Sequence, residues 1–203
     1  MAMTDLEEIK HLFLKRSTAS RSFRGEDQWD TTNESNTRSL RSAAVLIPMI
    51  NHEDGITVLL TERSHTLSDH AGQVAFPGGQ REPGDLTAEE TALREATEEV
   101  GLEMNSIELV GRLTPRITGT GFYVVPVIGL VQPPLKTKIA ALEVAQIFEV
   151  PLSHISNKKN FSLQSVESRT KKGEYWVMEH HSFFIWGLTA RILRELSEVL
   201  SSS

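Results

Sequence analysis

Residues 87–101 constrain the fold of this chain most, because they specify a capped helix with two different faces. Thr87 and Glu90 have the spacing of an N-terminal capping box, and Gly101 stands where a helix C′ residue belongs. A helix advances about 100° per residue. One compact apolar face is therefore formed by Leu93, Ala96 and Val100. The pattern predicts a helix that begins near Ala88 and packs this face against the rest of the protein.

The other edge of this helix is acidic. Glu95, Glu98 and Glu99 fall at roughly 0°, 300° and 40° around the axis. Two unit charges about 4 Å apart repel by about 4 kcal/mol at an effective dielectric of about 20. A divalent cation converts such repulsion into ligation, and clustered oxygen ligands suit Mg²⁺ or Mn²⁺. The alternative is a solvated acidic face, but this face lacks i,i+4 lysine partners and follows a glycine turn at Gly78 and Gly79.

The remaining chain alternates strand signals with a few helices. Apolar runs at 43–49 and 56–61 flank the turn signal NHEDG and predict a hairpin. Further strands are predicted at 107–113, 122–131, 144–150, 161–167, 174–178 and 183–186, and further helices at 4–16 and 188–200. Residues 17–42 are polar and aperiodic, which predicts a loop or partly ordered extension that is mobile without ligand. The class is mixed α/β or α+β.

Composition excludes several kinds of function. The 203 residues suit one domain with a terminal extension. The net charge is −6, and between Glu82 and Glu108 nine acids oppose one base, which argues against a nucleic-acid surface. No apolar run approaches about 18 residues and the charged N-terminus lacks a signal-peptide core, so we expect a cytoplasmic protein without a membrane span. There is no cysteine, which excludes disulfides and thiolate chemistry.

A nucleotide-triphosphatase loop is also excluded. Gly79 and Gly84 have the GxxxxG spacing, but Asp85 and Leu86 stand where lysine and a hydroxyl residue are needed. An aspartate at that position would repel a phosphate.

Two segments together resemble a known catalytic motif. FPGG at Phe76–Gly79 and REATEEVGL at Arg94–Leu102 closely resemble the Nudix box, GX5EX7REUXEEXGU, where U is a bulky aliphatic residue. Three positions depart from it. Asp85 replaces the first glutamate, eight residues rather than seven separate it from the arginine, and Ala96 occupies the U position.

The first two departures also occur in one branch of the Nudix family, the coenzyme A pyrophosphatases. LLTERSHTLSDHAGQVAFPGG at residues 59–79 resembles the second signature of that branch, although Ser68 stands where an arginine is usual. TGTGFYVVPVIG, EVAQIFEVPL and IWGLTARIL also look typical of the branch. The resemblance implies a Nudix fold, an α/β/α sandwich around a mixed sheet, at residues 41–200. Residues 1–40 are expected to form an N-terminal helix and polar extension.

The resemblance also implies roles for the box residues. Glu95 and Glu99 are expected to ligate the metal, with Glu98 as a third ligand or the general base. Gly79 is expected to offer a backbone carbonyl, and Gly78 and Gly79 to lie beside the substrate. Arg94 is expected to orient the carboxylates rather than touch the substrate.

Three residues outside the box complete the predicted site. Glu143 aligns with a downstream acid that often approaches the site in this superfamily, and it is the second candidate for general base. The alternative interpretation is that Glu143 is an exposed glutamate at a strand edge without a catalytic role. Arg63 and Arg116 are the candidates for binding substrate phosphates, including the 3′-phosphate of coenzyme A, although each is also typical of a surface arginine. The pair His180 and His181 is interpreted as structural.

The predicted reaction is Mg²⁺- or Mn²⁺-dependent hydrolysis of coenzyme A to 3′,5′-ADP and 4′-phosphopantetheine. One alternative keeps the chemistry with another small nucleotide, namely ADP-ribose, a dinucleotide or a nucleoside triphosphate. Another is a Nudix-like domain that binds a nucleotide without cutting it, but Glu95, Glu98 and Glu99 are all present. The sequence does not distinguish a monomer from a homodimer.

Overall fold

The computed structural model describes residues 5–19, 40–167 and 172–201. Its helices are α1 (Leu6–Ala19), α2 (Ala88–Val100), α3 (Leu152–Ser156) and α4 (Gly187–Ser201). Its strands are β1 (Arg41–His52), β2 (Gly55–Arg63), β3 (Val74–Ala75), β4 (Gly78–Gln80), β5 (Ile107–Arg112), β6 (Arg116–Ile117), β7 (Phe122–Val131), β8 (Val144–Pro151), β9 (Phe161–Glu167), β10 (Lys172–His180) and β11 (Phe183–Trp186).

The first eight strands form one mixed sheet. Its central order is β3-β2-β1-β7-β5, while β4 pairs with β1, β6 with β7 and β8 with β2. β1 and β7 run parallel over ten residue pairs, from Arg41–Phe122 to Ile50–Val131. The other pairs in this sheet are antiparallel, including the predicted β1–β2 hairpin. The sheet confirms the predicted mixed arrangement.

Helices cover both faces of this sheet. On one face, the apolar side of α2 packs through Ala92, Ala96 and Val100 against a core that includes Leu46 and Val125. On the other face lies a larger core shared by the sheet, α1, α3 and α4. The predicted α/β/α sandwich, with the box helix and the C-terminal helix on different sides, is confirmed. No helix in the described part of the chain is long and apolar enough to span a membrane.

The predicted caps of α2 are present. The Thr87 side chain accepts a hydrogen bond from the Glu90 backbone, and the Glu90 side chain accepts one from the Thr87 backbone. Gly101 closes the helix in the left-handed conformation, with φ 73°. These caps hold the helix ends, and with them the carboxylates of its last two turns.

The N-terminal helix is longer than predicted and belongs to the core. α1 runs to Ala19, so residues 17–19 are helical rather than part of a loop, and β1 already begins at Arg41. Ile9 and Phe13 are buried, and Phe13 lies against Gly111 of β5. Residues 20–39 of the predicted polar extension lie outside the described residues, as does the hypothesis about their mobility.

The last strands form a separate sheet. The three-stranded sheet has the order β11-β10-β9, and it packs on the larger core through Phe161, Met178 and Ile185. The sequence patterns predicted these strands but not their separation from the central sheet. They also missed α3, because five residues after Pro151 are too few for a helical period to appear.

Candidate active site

The glycine turn before α2 is packed tightly on two sides. Gly78 belongs to β4, which pairs with β1, and a Cβ at Gly78 would lie 2.6 Å from the Cα of Val45. A Cβ at Gly79 would lie 2.6 Å from Cδ of Glu95. Glycine is therefore required at Gly78, where the backbone of β1 leaves no room for a side chain. At Gly79 a side chain would displace the carboxylate of Glu95.

Glu99 is the most deeply buried of the box carboxylates, with 5% of the residue exposed. Its Oε2 accepts a hydrogen bond of 3.1 Å from the backbone N–H of Gly78. Burial raises the pKa of Glu99 from 4.5 to about 7, opposed by the Gly78 hydrogen bond and the charge of Arg63, and reinforced by Glu95 and Glu143. The surroundings of Glu99 therefore disfavour the ionised form of its carboxyl group.

Glu95 lies beside Glu99 in the same environment. Burial raises its pKa, Arg94 opposes this, and the charges of Glu98 and Glu143 raise the pKa further. Its Oε1 forms an ion pair of 3.0 Å with Arg94 Nη2. Helix geometry predicted this crowding, and the charge of Glu95 in turn raises the pKa of Glu99.

Arg94 joins the acidic face of α2 to the turn before it. Its Nη2 lies 3.1 Å from Asp85 Oδ2 and donates to the Gln80 carbonyl at 3.1 Å, while its Nη1 lies 2.8 Å from Glu98 Oε2. The hydrogen bond to Asp85 raises the pKa of Arg94. Arg94 thus contacts Asp85, Glu95 and Glu98 together.

Asp85 is a part of the site that sequence reasoning did not include. It is 6% exposed, and Oδ2 accepts hydrogen bonds from Thr91 Oγ1 at 2.8 Å and from the Glu82 N–H at 2.9 Å. Burial acts to raise the pKa of Asp85, but the hydrogen bonds from Arg94, Glu82 and Thr91 outweigh it and lower the pKa. The signal was available, since Asp85 stands where the box has its first glutamate.

Glu98 differs from its two neighbours. Its side chain is 58% exposed, against 14% for Glu95, and its carboxylate pairs with Arg94. The structure therefore places Glu98 at the rim of the cluster.

Glu143 and Arg63 are brought to the cluster from the sheet. Glu143 precedes β8 and Arg63 ends β2, and Arg63 pairs with Val144 across the two strands. The Ser64 N–H donates to the Glu143 carbonyl at 2.8 Å. Glu143 is exposed, yet its charge raises the pKa of both Glu95 and Glu99. The Nε of Arg63 is buried without a hydrogen-bond partner, and the charge of Arg63 lowers the pKa of Glu99.

The segment before Glu143 is fastened to the end of α2. The Lys138 N–H donates to the Val100 carbonyl and the Ala140 N–H to the Glu99 carbonyl, each at 2.9 Å. The Glu143 N–H donates to the Ala140 carbonyl at 2.8 Å. Residues 138–143 therefore satisfy the last carbonyls of the helix and fix the backbone of Glu143 relative to Glu99.

The structure does not bring Arg116 to this cluster. Its Nη2 lies 2.5 Å from Oε2 of Glu195 on α4, which covers the opposite face of the sheet from α2. Burial acts to raise the pKa of Glu195, but hydrogen bonds from Thr114 and Arg116 lower it. A substrate role for Arg116 stays a prediction.

The donor chemistry of the cluster fits a divalent cation. Glu95 and Glu99 are buried carboxylates whose charges are incompletely balanced, and hard oxygen ligands are those that Mg²⁺ and Mn²⁺ prefer. The side chains do not form a ready-made cage, since no group of three or more histidines or acids within 5–19, 40–167 and 172–201 is arranged to hold an ion. Glu95 is turned to Arg94 and Glu99 to Gly78.

Comparisons with known proteins agree with this site. The NUDIX domain family model matches residues 40–163. The uncharacterized Nudix hydrolase NudL of Photorhabdus laumondii is 43% identical over 161 residues, covering 78% of this chain and 84% of the relative. The uncharacterized Nudix hydrolase NudL of Escherichia coli strain K12 is 40% identical over 158 residues, covering 77% of this chain and 81% of the relative.

Two solved structures share the fold. A MutT/nudix family protein from Enterococcus faecalis has a TM-score of 0.50 at 16% identity, covering 98% of this chain and 76% of that one. DR0079 from Deinococcus radiodurans has a TM-score of 0.51 at 14% identity, covering 80% and 86%.

A sandwich that sets a glycine turn against buried helix carboxylates defines a Nudix-type hydrolase site. The chain belongs to the Nudix hydrolase family. Within that family, the relatives described above carry the name NudL, which states no substrate.

Proposed function

We propose that this protein hydrolyses the pyrophosphate bond of coenzyme A, its thioesters or its oxidised forms, giving 3′,5′-ADP and 4′-phosphopantetheine. One observation carries the proposal: Glu95, Glu99 and Glu143 interact electrostatically beside the glycine turn and the charge of Arg63. A site that combines unbalanced carboxylates with a guanidinium group suits a phosphate anhydride and the cation that accompanies it.

The chemistry divides among these side chains. Glu95 and Glu99, with Glu98 or the Gly79 carbonyl, would hold Mg²⁺ or Mn²⁺, which when bound neutralises phosphate charge and lowers the pKa of its water. Arg63 binds phosphate oxygens, and Arg94 orients Glu95 and Glu98. A water oxygen forms a bond to phosphorus, the bond from phosphorus to the bridging oxygen breaks, and a carboxylate takes the proton of the water.

Glu143 is the better-placed candidate for that proton. Glu98 is already paired with Arg94, whereas Glu143 has no ion-pair partner among the described residues and interacts with both Glu95 and Glu99. A base must be free to accept a proton within reach of the reacting water.

We therefore expect Glu143→Gln to reduce kcat by about 10²- to 10⁴-fold, the usual contribution of a positioned base. The Mg²⁺ concentration for half-maximal activity should change little, because Glu143 is proposed as a base rather than a ligand. Glu98→Gln should reduce kcat less, and Glu103→Gln, an exposed control, should not reduce it. Steady-state kinetics at saturating Mg²⁺ measures this. A larger loss in Glu98→Gln than in Glu143→Gln would assign the base to Glu98.

The substrate is inferred from the segment that precedes the box. Residues 59–79 resemble the coenzyme A signature, and backbone hydrogen bonds close this segment into a loop. The Arg63 N–H donates to the Gln73 carbonyl at 2.9 Å, and the Gly72 N–H to the Arg63 carbonyl at 3.1 Å. The signature loop therefore closes at Arg63, beside Glu143, where it can contact the part of the substrate beyond the pyrophosphate.

A substrate panel tests the assignment. Coenzyme A, dephospho-coenzyme A, ADP-ribose, NADH, diadenosine polyphosphates and dGTP would be compared with Mg²⁺ and Mn²⁺, and products identified by mass spectrometry. We expect coenzyme A to be among the best substrates by kcat/KM. Preference for another member of the panel would contradict the coenzyme A assignment and leave a pyrophosphatase for that nucleotide. Tight binding without cleavage of any member would favour the non-catalytic alternative.

A further inference from the structure

Three histidines meet where the three-stranded sheet joins the rest of the protein. His154 lies on α3, His180 ends β10 and His181 forms the turn to β11. Their ring centroids are 4.9 Å apart between His154 and His180, and 4.2 Å apart between His180 and His181. His180 is only 8% exposed, whereas His181 is exposed. We call these three residues the histidine cluster.

The histidine cluster connects three elements by hydrogen bonds. The Nε2 of His154 lies 3.0 Å from the Glu179 carbonyl and so joins α3 to β10. The His180 ring bonds the backbone of Glu149 and so joins β10 to β8. A carbonyl oxygen accepts only, so each ring donates an N–H in these contacts. Beside them, Phe148 of β8 stacks on Phe183 of β11, with ring centroids 3.6 Å apart.

The surroundings provide little compensation for positive charge. The Glu149 carboxylate is engaged by His52 at 2.6 Å and by Thr57, and the Glu179 side chain is exposed. On α4, which also packs on β10, Arg191 is exposed, Arg194 pairs with Glu198 and Glu195 pairs with Arg116. Among the residues that the structure describes, no carboxylate forms an ion pair with a ring of the histidine cluster.

We propose that the histidine cluster is an acid-sensitive joint, which holds the β10–β11 turn against α3 and β8 and opens when the solution is acidified. Three adjacent rings can pack while they are neutral. Protonation of His180 places a charge beside both other rings and in a buried position.

The sign of the effect follows from linkage. Burial lowers the pKa of His180, the charges of His181 and His154 lower it further, and the bond to Glu149 opposes them. The open form therefore binds protons that the closed form does not. The joint is fully stable above about pH 6.5, the ordinary histidine pKa, and loses stability as the pH falls below it. For each proton taken up, the opening constant rises by up to about tenfold per pH unit.

The joint also lies close to the strand that leads into the glycine turn. β11 lies against β3, and Thr189 at the start of α4 donates a hydrogen bond of 2.9 Å to the Val74 carbonyl. Two residues separate β3 from Gly78. Opening of the joint therefore releases one side of the segment that positions the turn.

Amide hydrogen exchange of the full-length, metal-free protein tests the proposal between pH 5 and 8, with rates corrected for intrinsic exchange. We expect α3 and the β10–β11 turn to lose protection below about pH 6.5 by up to about tenfold per pH unit. His180→Gln should remove most of this dependence. His181→Asn should reduce the extent of the loss, because it removes one of the charges that lower the pKa of His180. Asparagine tolerates the positive φ of 51° at this position.

His11→Asn is the matched control, because His11 is exposed on α1, outside the cluster. It should leave the pH dependence unchanged. If His180→Gln does not fold, the His181→Asn comparison decides alone. Identical pH profiles in wild type and His181→Asn would overturn the proposal. The proposal would also be overturned if NMR showed that His180 titrates with the usual histidine pKa while α3 and the β10–β11 turn keep their amide protection. Neither result bears on the proposed hydrolase activity.

Discussion

Replacing Glu99 by glutamine is expected to remove nearly all turnover and, at the same time, to stabilise the metal-free protein at pH 8. The two effects share one cause. Glu99 is 5% exposed and carries a charge that its surroundings disfavour. Glutamine keeps an oxygen to accept the Gly78 N–H but carries no charge. The substitution removes a proposed metal ligand, which should reduce kcat at least as much as loss of a base, about 10²- to 10⁴-fold.

The stability effect depends on pH in a specific direction. The pKa of Glu99 rises from 4.5 to about 7 on folding, so the folded protein favours the protonated acid. Stability is therefore greatest below the unfolded pKa and is lost as the pH rises from about 4.5 to about 7. One pKa unit corresponds to about 1.4 kcal/mol, which gives an upper estimate of about 3 kcal/mol. The Glu99→Gln variant should lack this loss.

Denaturant unfolding at pH 5 and pH 8 measures the effect, and thermal unfolding with and without Mg²⁺ measures the contribution of the metal. Mg²⁺ should raise the Tm of the wild type more at pH 8 than at pH 5, because ligands must be deprotonated. Mg²⁺ should raise the Tm of the Glu99→Gln variant only slightly at either pH. A variant that retains more than half of the wild-type turnover in saturating Mg²⁺ would show that Glu99 is not a metal ligand.

Replacing Arg94 by glutamine is expected to damage both stability and catalysis. The side chains of Arg94 and Asp85 are 17% and 8% exposed, and the change leaves the Asp85 charge without its cation. Breaking a buried pair in this way costs about 3–5 kcal/mol, and the partial exposure of Arg94 places the expected value near the lower end. Glu95 and Glu98 lose their common partner, so we expect kcat to fall by about 10²-fold, with a smaller change in KM.

Arg112→Gln provides a matched control. Arg112 ends β5 and donates two hydrogen bonds, of 2.7 and 2.6 Å, to Glu89 on α2, the helix that carries Arg94. The side chain of Arg112 is 15% exposed. It lies outside the acidic cluster, so its loss should lower stability while leaving kcat within about twofold. A double-mutant cycle of Arg94→Gln with Asp85→Asn should show a coupling of about 0.5–3 kcal/mol. Equal kcat in the two arginine variants would mean that Arg94 does not position the carboxylates.

Local patterns predicted the box helix well because its determinants lie within fifteen residues. The capping box at Thr87, the left-handed Gly101 and the apolar face are short-range features, and all three are present. The same holds for β1 and β2, whose apolar runs and turn signal define a hairpin.

The parts that were missed depend on contacts distant in sequence. The pairing of Arg116 with Glu195 joins residues 79 positions apart, and no local sequence pattern predicts it. The burial of Phe13 depends on β5, and the approach of Glu143 to Glu99 depends on strand pairing and on the segment that precedes Glu143. The sequence therefore predicted which side chains of the box helix face the same side. It named Arg63, Arg116 and Glu143 as candidates but could not predict their positions relative to that helix.

The hydrogen bonds of Lys138 and Ala140 to the end of α2 restrict how this site can vary. They make the helix terminus and the Glu143 segment a single module, in which a change of length would alter the spacing of Glu99 and Glu143. We therefore expect an insertion between residues 138 and 143 to displace Glu143 from Glu99, whereas one in the preceding residues 132–137 leaves these hydrogen bonds intact. A grafted or recombined enzyme that kept the Nudix box but exchanged residues 138–143 would inherit the carboxylates without their relative geometry.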